Sequence, residues 1–263
     1  MKCFPQLTTG ATAQFPIRKW LRSRTVVNET SDSRQIKWED AGGSSMEWEL
    51  GFEGLSDEER DRLEQFFLEM EGRLGSFTFL DPTDNLLIWS EALDQPVWEK
   101  DPLLGLTPGT GDPLGTTRGT TLHNESGATA RMQQTLSAPG GYVYAFSVYG
   151  RSETGQGLTL FRASGEQRDS KTYQLSENWR RLVLTGKFDS TEDTVRFGVE
   201  VAPGGRVELF GLQVEAQPAA SGYKRTLSLS GVHTAARFQE DWLEMTATGP
   251  GEHSGRIRIE TRA

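Results

Sequence analysis

Residues 54–85 read GLSDEERDRLEQFFLEMEGRLGSFTFLDPTDN: an amphipathic helix, a glycine exit, a short strand and an acidic turn. Ser56 followed at three residues by Glu59 has the spacing of a capping box. Leu63, Phe66, Phe67 and Met70 recur at i, i+3, i+4 and i+7, which puts four large apolar groups on one helical face. Asp57, Glu58, Glu59 and Asp61 load the first turn with negative charge, where the helix dipole favours it. The spacing predicts a helix over 57–71, ended by Gly72 and Gly75, with residues 76–80 alternating as a strand before Asp81-Pro82. A helix docked on a sheet follows, and none of its residues points to catalysis.

Other properties bound the class. A chain of 263 residues is one large or two ordinary domains at roughly 150 residues per domain. Its 29 glycines fit short strands joined by many turns. It has no run of about 18 apolar residues, so no membrane span is expected. Residues 1–5, MKCFP, lack an apolar stretch, so no secretory leader is expected there. The single Cys3 cannot form an internal disulfide, which suggests synthesis in a cytoplasm. A net charge of −9 argues against general nucleic-acid binding.

From Asn85 the organisation changes. A turn-rich stretch holding Pro102, Pro108, Gly109, Gly111, Pro113, Gly115 and Gly119 leads into strand-like segments at 142–149, 158–162, 172–175, 179–185, 195–201 and 206–214. Gly140-Gly141, Gly155-Gln156-Gly157, Glu177-Asn178, Asp189-Ser190 and Pro203-Gly204-Gly205 separate them, a spacing that argues a β-sandwich. Tyr144, Phe146 and Val148 share one strand face, as do Val195, Phe197, Val199 and Val201, so both sets are expected in its core. After Ser221, residues 227–232, 242–248 and 256–260 alternate again. They can pair with Arg24–Val27 and the strand through Trp48, or belong to the sandwich. We favour the first arrangement: a split β-rich domain over 1–85 and 221–263, with a sandwich inserted over 86–220, since insertions succeed where incoming and outgoing chain lie together. The expected fold is thus mainly β: a small β-rich domain with one α-helix plus a jelly-roll β-sandwich.

Two resemblances accompany this reading. Leu55-Ser56, Leu63, Phe66-Phe67, Gly72, Gly75, Phe77, Phe79, Asp81 and Asp84, with the alternating residues 46–52 before them, resemble tail-assembly proteins of long-tailed phages and phage-derived particles. The segments NLLIWSEAL, YVYAFSVYGRS, ENWRRLVLTGKF, VRFGVEV and VELFGLQVEAQPAASGY are similar to jelly rolls of the carbohydrate-binding-module type. The first resemblance implies a distal tail or baseplate hub protein, a ring-forming homo-oligomer (a hexamer in that family) located in the virion tail. It would join the tail tube to the tip through contacts with other tail and baseplate proteins. The second implies an outward domain that meets a host cell-surface glycan.

Charge placement fits a head-to-tail contact. Residues 1–38 carry Lys2, Arg18, Lys19, Arg22, Arg24, Arg34 and Lys37 against Glu29 and Asp32, whereas residues 39–71 hold twelve acids against Arg60 and Arg62. Two solvated faces are the plain reading; the sharper one pairs Arg18, Lys19, Arg22 and Arg24 of one subunit with Asp57, Glu58 and Asp61 of the next. Trp38, Trp48 and the helix stripe are expected to hold the domain together.

Catalytic signals are weak. His123, His233 and His253 show no metal-ligand spacing, and no nucleophile elbow, Walker loop or dinucleotide fingerprint occurs. Asp81 with Asp84, or Glu91 with Asp94, reads as turn chemistry rather than a carboxylate pair for sugar hydrolysis. No metal, cofactor or enzyme activity is expected. Aromatic rings stack on sugar rings, so Trp98, Tyr142, Tyr144, Tyr149, Tyr173 and Trp179 are possible platforms, with Arg162 and His123 as hydroxyl partners. Trp98, in a polar loop-rich setting, is the best candidate for exposure, and Trp98, Tyr149 and Arg162 form the candidate glycan set. Three functions stay open: a structural tail component, a free-standing glycan-binding module or adhesin, and a glycosidase-like enzyme.

Overall fold

Ser56 caps the helix as its spacing predicts. Its Oγ accepts the Glu59 N–H at 3.3 Å while the Glu59 carboxylate accepts the Ser56 N–H at 3.1 Å. Glu59 also takes the Thr8 N–H and hydroxyl, at 2.9 and 2.6 Å, so the cap anchors the N-terminal segment as well. The computed structural model describes residues 1–40 and 42–262. In chain order the elements are β1 (Gln14–Arg22), β2 (Thr25–Glu29), β3 (Gln35–Glu39), β4 (Ser45–Leu55), α1 (Asp57–Glu69) and β5 (Phe77–Leu80). There follow β6 (Glu99–Lys100), β7 (Leu104–Thr110), β8 (Gly119–Asn124), β9 (Ala130–Leu136), β10 (Tyr144–Arg151), β11 (Gly157–Ser164) and β12 (Gln167–Gln174). The chain closes with β13 (Arg180–Gly186), β14 (Val195–Val201), β15 (Arg206–Glu215), β16 (Val232–Phe238), β17 (Glu244–Gly249) and β18 (Glu252–Arg262).

The chain divides into two units. The smaller comprises Lys2–Thr8, Ala13–Phe79 and the chain from His233 onward; the larger is Leu80–Val232 with Met1 and Thr9–Thr12. In the smaller unit the sheet order is β1-β4-β18-β16-β5, with β17 also on β18. The C-terminal strand β18 runs beside β4 from Arg262 opposite Ser45 to His253 opposite Leu55. Trp48, Leu50 and Phe52 of β4 point to a core shared with Leu63 and Phe66 of α1 and with Met70, its C-cap. Each such fully buried apolar side chain is worth about 1.5–3 kcal/mol. Phe77 centres the aromatic packing, 5.2 Å from Phe66 and 5.0 Å from Phe238, and Trp48 meets Phe79 edge-on at 5.0 Å.

Three expectations change here. Residues 227–231 form no strand, because Gly231 is hydrogen-bonded to the turn at 81–85 instead. The segment 24–27 pairs with β3, not with the C-terminal strands, and the two make a separate ribbon. Trp38 lies on that ribbon, 56% exposed, and plays no part in the core.

The larger unit is a β-sandwich of two five-stranded antiparallel sheets, β13-β10-β15-β8-β7 and β12-β11-β14-β9-β6. The rows expected inside do face each other: Tyr144, Phe146 and Val148 of β10 are buried with Val195, Phe197, Val199 and Val201 of β14, and Tyr144 packs edge-on to Phe197 at 5.4 Å. The turn-rich stretch contains β7 and leads into β8 and β9, none of which is anticipated among the strand-like segments.

The larger unit takes in Leu80–Val232, and the buried side chain of Asn85 lies just inside it. Fully buried Asn85 donates through Nδ2 to Leu212 O (2.9 Å) and Lys224 O (3.2 Å), and accepts through Oδ1 from Leu87 N (3.1 Å) and Val214 N (3.0 Å). It thereby fastens the incoming chain, β15 and the outgoing chain to one another. Asn85→Ala leaves these buried backbone groups unpaired and is expected to destabilise the sandwich by about 3 kcal/mol. Denaturant unfolding followed by a probe confined to the sandwich checks it, and an unchanged midpoint would contradict the assignment.

Candidate functional site

The outer faces of the two sandwich sheets differ. That of the β10 sheet is covered by the returning chain, residues 221–226. Glu215 Oε1 accepts Lys224 Nζ at 2.7 Å and Oε2 accepts Ser221 N at 2.9 Å, while Gln213 Oε1 accepts Lys224 N at 2.6 Å. Burial works against the Glu215 carboxylate, yet the Lys224 ammonium and the Ser221 and Gln213 hydrogen bonds hold its pKa below the ordinary value. Tyr223 packs on Phe210 at 5.1 Å. It does so over Gly211, where φ is +67° and a Cβ would stand 2.9 Å from the ring. Ser147, Gln213 and Glu215 are sealed beneath this strap.

The outer face of the β11 sheet carries solvated polar side chains in rows. Pairing registers place Glu99, Gln133, Gly198, Phe161 and Ser170 in one row across β6, β9, β14, β11 and β12. The neighbouring rows hold Arg131, Glu200, Thr159 and Thr172, and Thr135, Arg196, Ala163 and Arg168. Gln133 donates to Glu99 at 2.8 Å, the Thr159 and Thr172 hydroxyls meet at 2.8 Å, and Arg168 reaches Glu200 at 2.7 Å.

At the centre, the Phe161 ring lies over bare backbone. A Cβ on Gly198 would stand 2.7 Å from Phe161 Cζ and 2.3 Å from Met132 O, so only glycine lets the ring lie there. Phe161 is 2% exposed, and the Arg168 guanidinium lies over its ring, 4.8 Å from the centroid. Arg168 is itself exposed, and a cation on an aromatic face at such a site is worth about 0.5–1 kcal/mol. Its ion pair with Glu200 adds about as little. Around the ring stand the Gln133 amide, the Glu99 and Glu200 carboxylates, the Arg168 guanidinium and the Thr159 and Thr172 hydroxyls. Stacking against a ring's C–H face and hydrogen bonding to its hydroxyls are what this arrangement can do.

The three residues expected to bind glycan do not converge. Trp98 is only 3% exposed, and its Nε1–H donates to Trp89 O at 3.1 Å. The expectation of exposure fails because the loop after Asn85 folds back and supplies the indole with a backbone partner. Arg162 shares the inward parity of Leu158 and Leu160. Its Nε and Nη2 grip Asp169 Oδ2 at 3.1 and 3.0 Å, and its guanidinium stacks on Phe188 at 4.6 Å. Tyr149 lies half-buried on the covered sheet, between Phe210 and Arg181. Tyr173 and Trp179 carry Lys171 and Arg151 over their rings. Phe161, Arg168, Gly198, Gln133 and Glu200 are absent from the sequence-based set. The signal for Phe161 is present, since Leu158 and Leu160 facing inward oblige Phe161 to face outward among polar neighbours.

In the smaller unit the residues expected to pair between subunits have partners within the chain. Arg18 meets Glu49 at 3.0 Å, Arg22 meets Glu47 at 2.7 Å, Arg24 meets Asp40 at 2.7 Å, and Lys19 lies over Trp48. Asp57 accepts from His253 at 2.7 Å, which holds its carboxyl below the ordinary pKa, and Glu58 and Asp61 pair with Arg62 and Arg60. Among the described residues no group of three or more His, Cys, Asp or Glu side chains could hold a metal ion, and no helix is long and apolar enough to cross a membrane.

No protein-family profile matches the sequence, and no curated protein does. Solved structures with some likeness include the enzymatically active domain of tailspike protein 4 from bacteriophage CBA120, at 12% identity and TM-score 0.42. The likeness spans 52% of this chain and only 22% of the tailspike chain. A xylan-binding domain of carbohydrate-binding family 22 is 14% identical over 54% of this chain and 100% of its own, with a TM-score of 0.42. A family 61 module in complex with β-1,4-galactotriose is 14% identical over 49% of this chain and 97% of its own, at 0.38. Likeness at this level assigns neither ligand nor activity to this chain.

Gly198→Ala is expected to push Phe161 off the sheet and lower sandwich stability by about 1–3 kcal/mol. Thermal unfolding reads this out, and a neutral effect would mean that the ring does not need the bare backbone.

Proposed function

We propose that the sandwich binds a glycan across the open face of the β11 sheet, centred on Phe161, and that the protein acts by binding rather than turnover. The observation that carries this reading is the aromatic ring over Gly198, set among hydrogen-bonding groups of both kinds under the Arg168 guanidinium. A sugar ring needs that combination: an apolar face to stack on and polar groups at its rim. Titration of the full chain with xylohexaose and β-1,4-galactotriose by calorimetry is the test. Phe161→Ala is expected to weaken binding by about tenfold or more, a loss of 1.4 kcal/mol or more. Thr172→Lys, an exposed position beside the ring that adds a flexible charge with no planar face, is expected to block the face without disturbing the core. Binding that survives both substitutions would sink the reading.

The smaller unit supports a second role, assembly. The ribbon of β2 and β3 carries Val26, Ile36 and Trp38 on one face, and Leu21 beside it is 75% exposed. A two-stranded ribbon is marginally stable alone in water, so its apolar face favours a protein partner. On this reading the unit is a ring-forming component of a phage-like tail, joining the tube to distal tail or baseplate proteins. The sandwich is the part that meets a host-surface glycan. The Arg24–Asp40 pair is largely exposed, and such pairs are weak, so Arg24 can re-pair with Asp57, Glu58 or Asp61 of a neighbour, as can the exposed guanidinium ends of Arg18 and Arg22 and the Lys19 ammonium. Light scattering of the full chain is expected to show a discrete oligomer that Trp38→Glu with Ile36→Glu reduces to monomer. A monomer at every concentration would remove the self-assembly part.

A further inference from the structure

On the smaller unit's sheet, the side turned away from Trp48 and Leu50 bears a groove of about 660 Å³. Its floor is backbone: a Cβ on Gly51 of β4 would stand in open space, and Gly51 pairs with Arg256 of β18. One edge is formed by Phe15, where β1 shifts register against β4 between Gln14 and Arg18, and the other by Trp242 from the turn before β17. These rings are 72% and 59% exposed, so each presents a bare face.

The remaining lining narrows the ligand class. Glu53, Glu240 and Glu244 stand against Arg256 and Arg258, three negative charges against two positive. Arg258 is held in place by Glu49 at 2.9 Å and Glu240 at 3.3 Å, and Arg256 lies 3.7 Å from Glu49. A phosphate or polyanion needs an excess of cations, and a lipid chain needs an apolar lining; the groove has neither. Donors and acceptors of both signs beside two exposed aromatic rings suit a ligand ring that is apolar on its faces and hydroxylated at its rim. The volume is in the range of small-ligand sites, about 300–1,000 Å³.

We propose that this groove is a second saccharide site, for a neutral sugar held between Phe15 and Trp242 with its hydroxyls on Glu53, Glu244 and Arg256. The site lies in a different unit from the Phe161 face and does not rest on that reading.

The test uses the full chain carrying Thr172→Lys, so that the sandwich face is blocked, titrated with maltohexaose, cellohexaose and xylohexaose to millimolar concentration. Calorimetry and tryptophan emission are read together. Saturable binding by at least one hexasaccharide is expected. Trp242→Ala and Phe15→Ala should each weaken it about tenfold, while Trp242→Phe should retain it. Both positions are solvent-exposed, so folding is preserved. Loss on Trp242→Ala in a chain whose binding ignores Thr172→Lys and Phe161→Ala would support the groove and remove the sandwich reading. The proposal is overturned if no hexasaccharide binds the blocked chain, or if binding ignores both edge substitutions. It is equally overturned if Trp242→Ala changes only the mass measured by light scattering, which would make the groove a protein contact.

Discussion

The sandwich depends on the four hydrogen bonds of the Asn85 side chain. An amide has two donors and two acceptor sites, and here all are used inside the protein, with no exposure to water. Beside them Leu86 N bonds Val214 O, and Gly231 N bonds Asn85 O, both at 2.8 Å. Where the chain comes in, where β15 lies and where the chain leaves are thus settled together. The outgoing chain is then obliged to cross the β10 sheet, and that crossing decides which outer face stays open.

The two faces use similar chemistry under opposite conditions. Glu215 is fully buried and meets Lys224 of the strap itself, so removing the lysine would leave a buried carboxylate at a cost of about 3–5 kcal/mol. Arg168 and Glu200 form a charge pair at the surface, where the same contact is worth little and exchanges readily. The first fixes a segment, and the second leaves a surface able to accept something else. Burial, rather than residue type, separates scaffold from site.

Local features were legible in the sequence. The capping box, the helix face and the inward rows of β10 and β14 depend on residues three, four or two apart, and the structure has them all. The placement of Trp98 was not, because its burial depends on the path of the loop after Asn85 rather than on its polar neighbours. Arg162 and Phe161 differ by one position and face opposite sides of one strand. Choosing Arg162 for its chemistry overlooked the alternation that sends it inward, and aromatic residues read as core hid the neighbour that faces out. The partner of the ribbon strand β2 is a different case: β3 follows after residues 30–34 as a local hairpin, a short-range pairing that competes with the alternation of 24–27 against the more distant strands.

The knot at Asn85 also has a mechanical meaning. Asp81 N bonds Gly231 O at 2.8 Å, so the points where the chain passes into and out of the larger unit are hydrogen-bonded neighbours. Tension carried along the chain through the smaller unit would cross this short circuit without stretching the sandwich beyond it. Its strands would stay slack while the load ran past them, and the surface around Phe161 would keep its shape under pull.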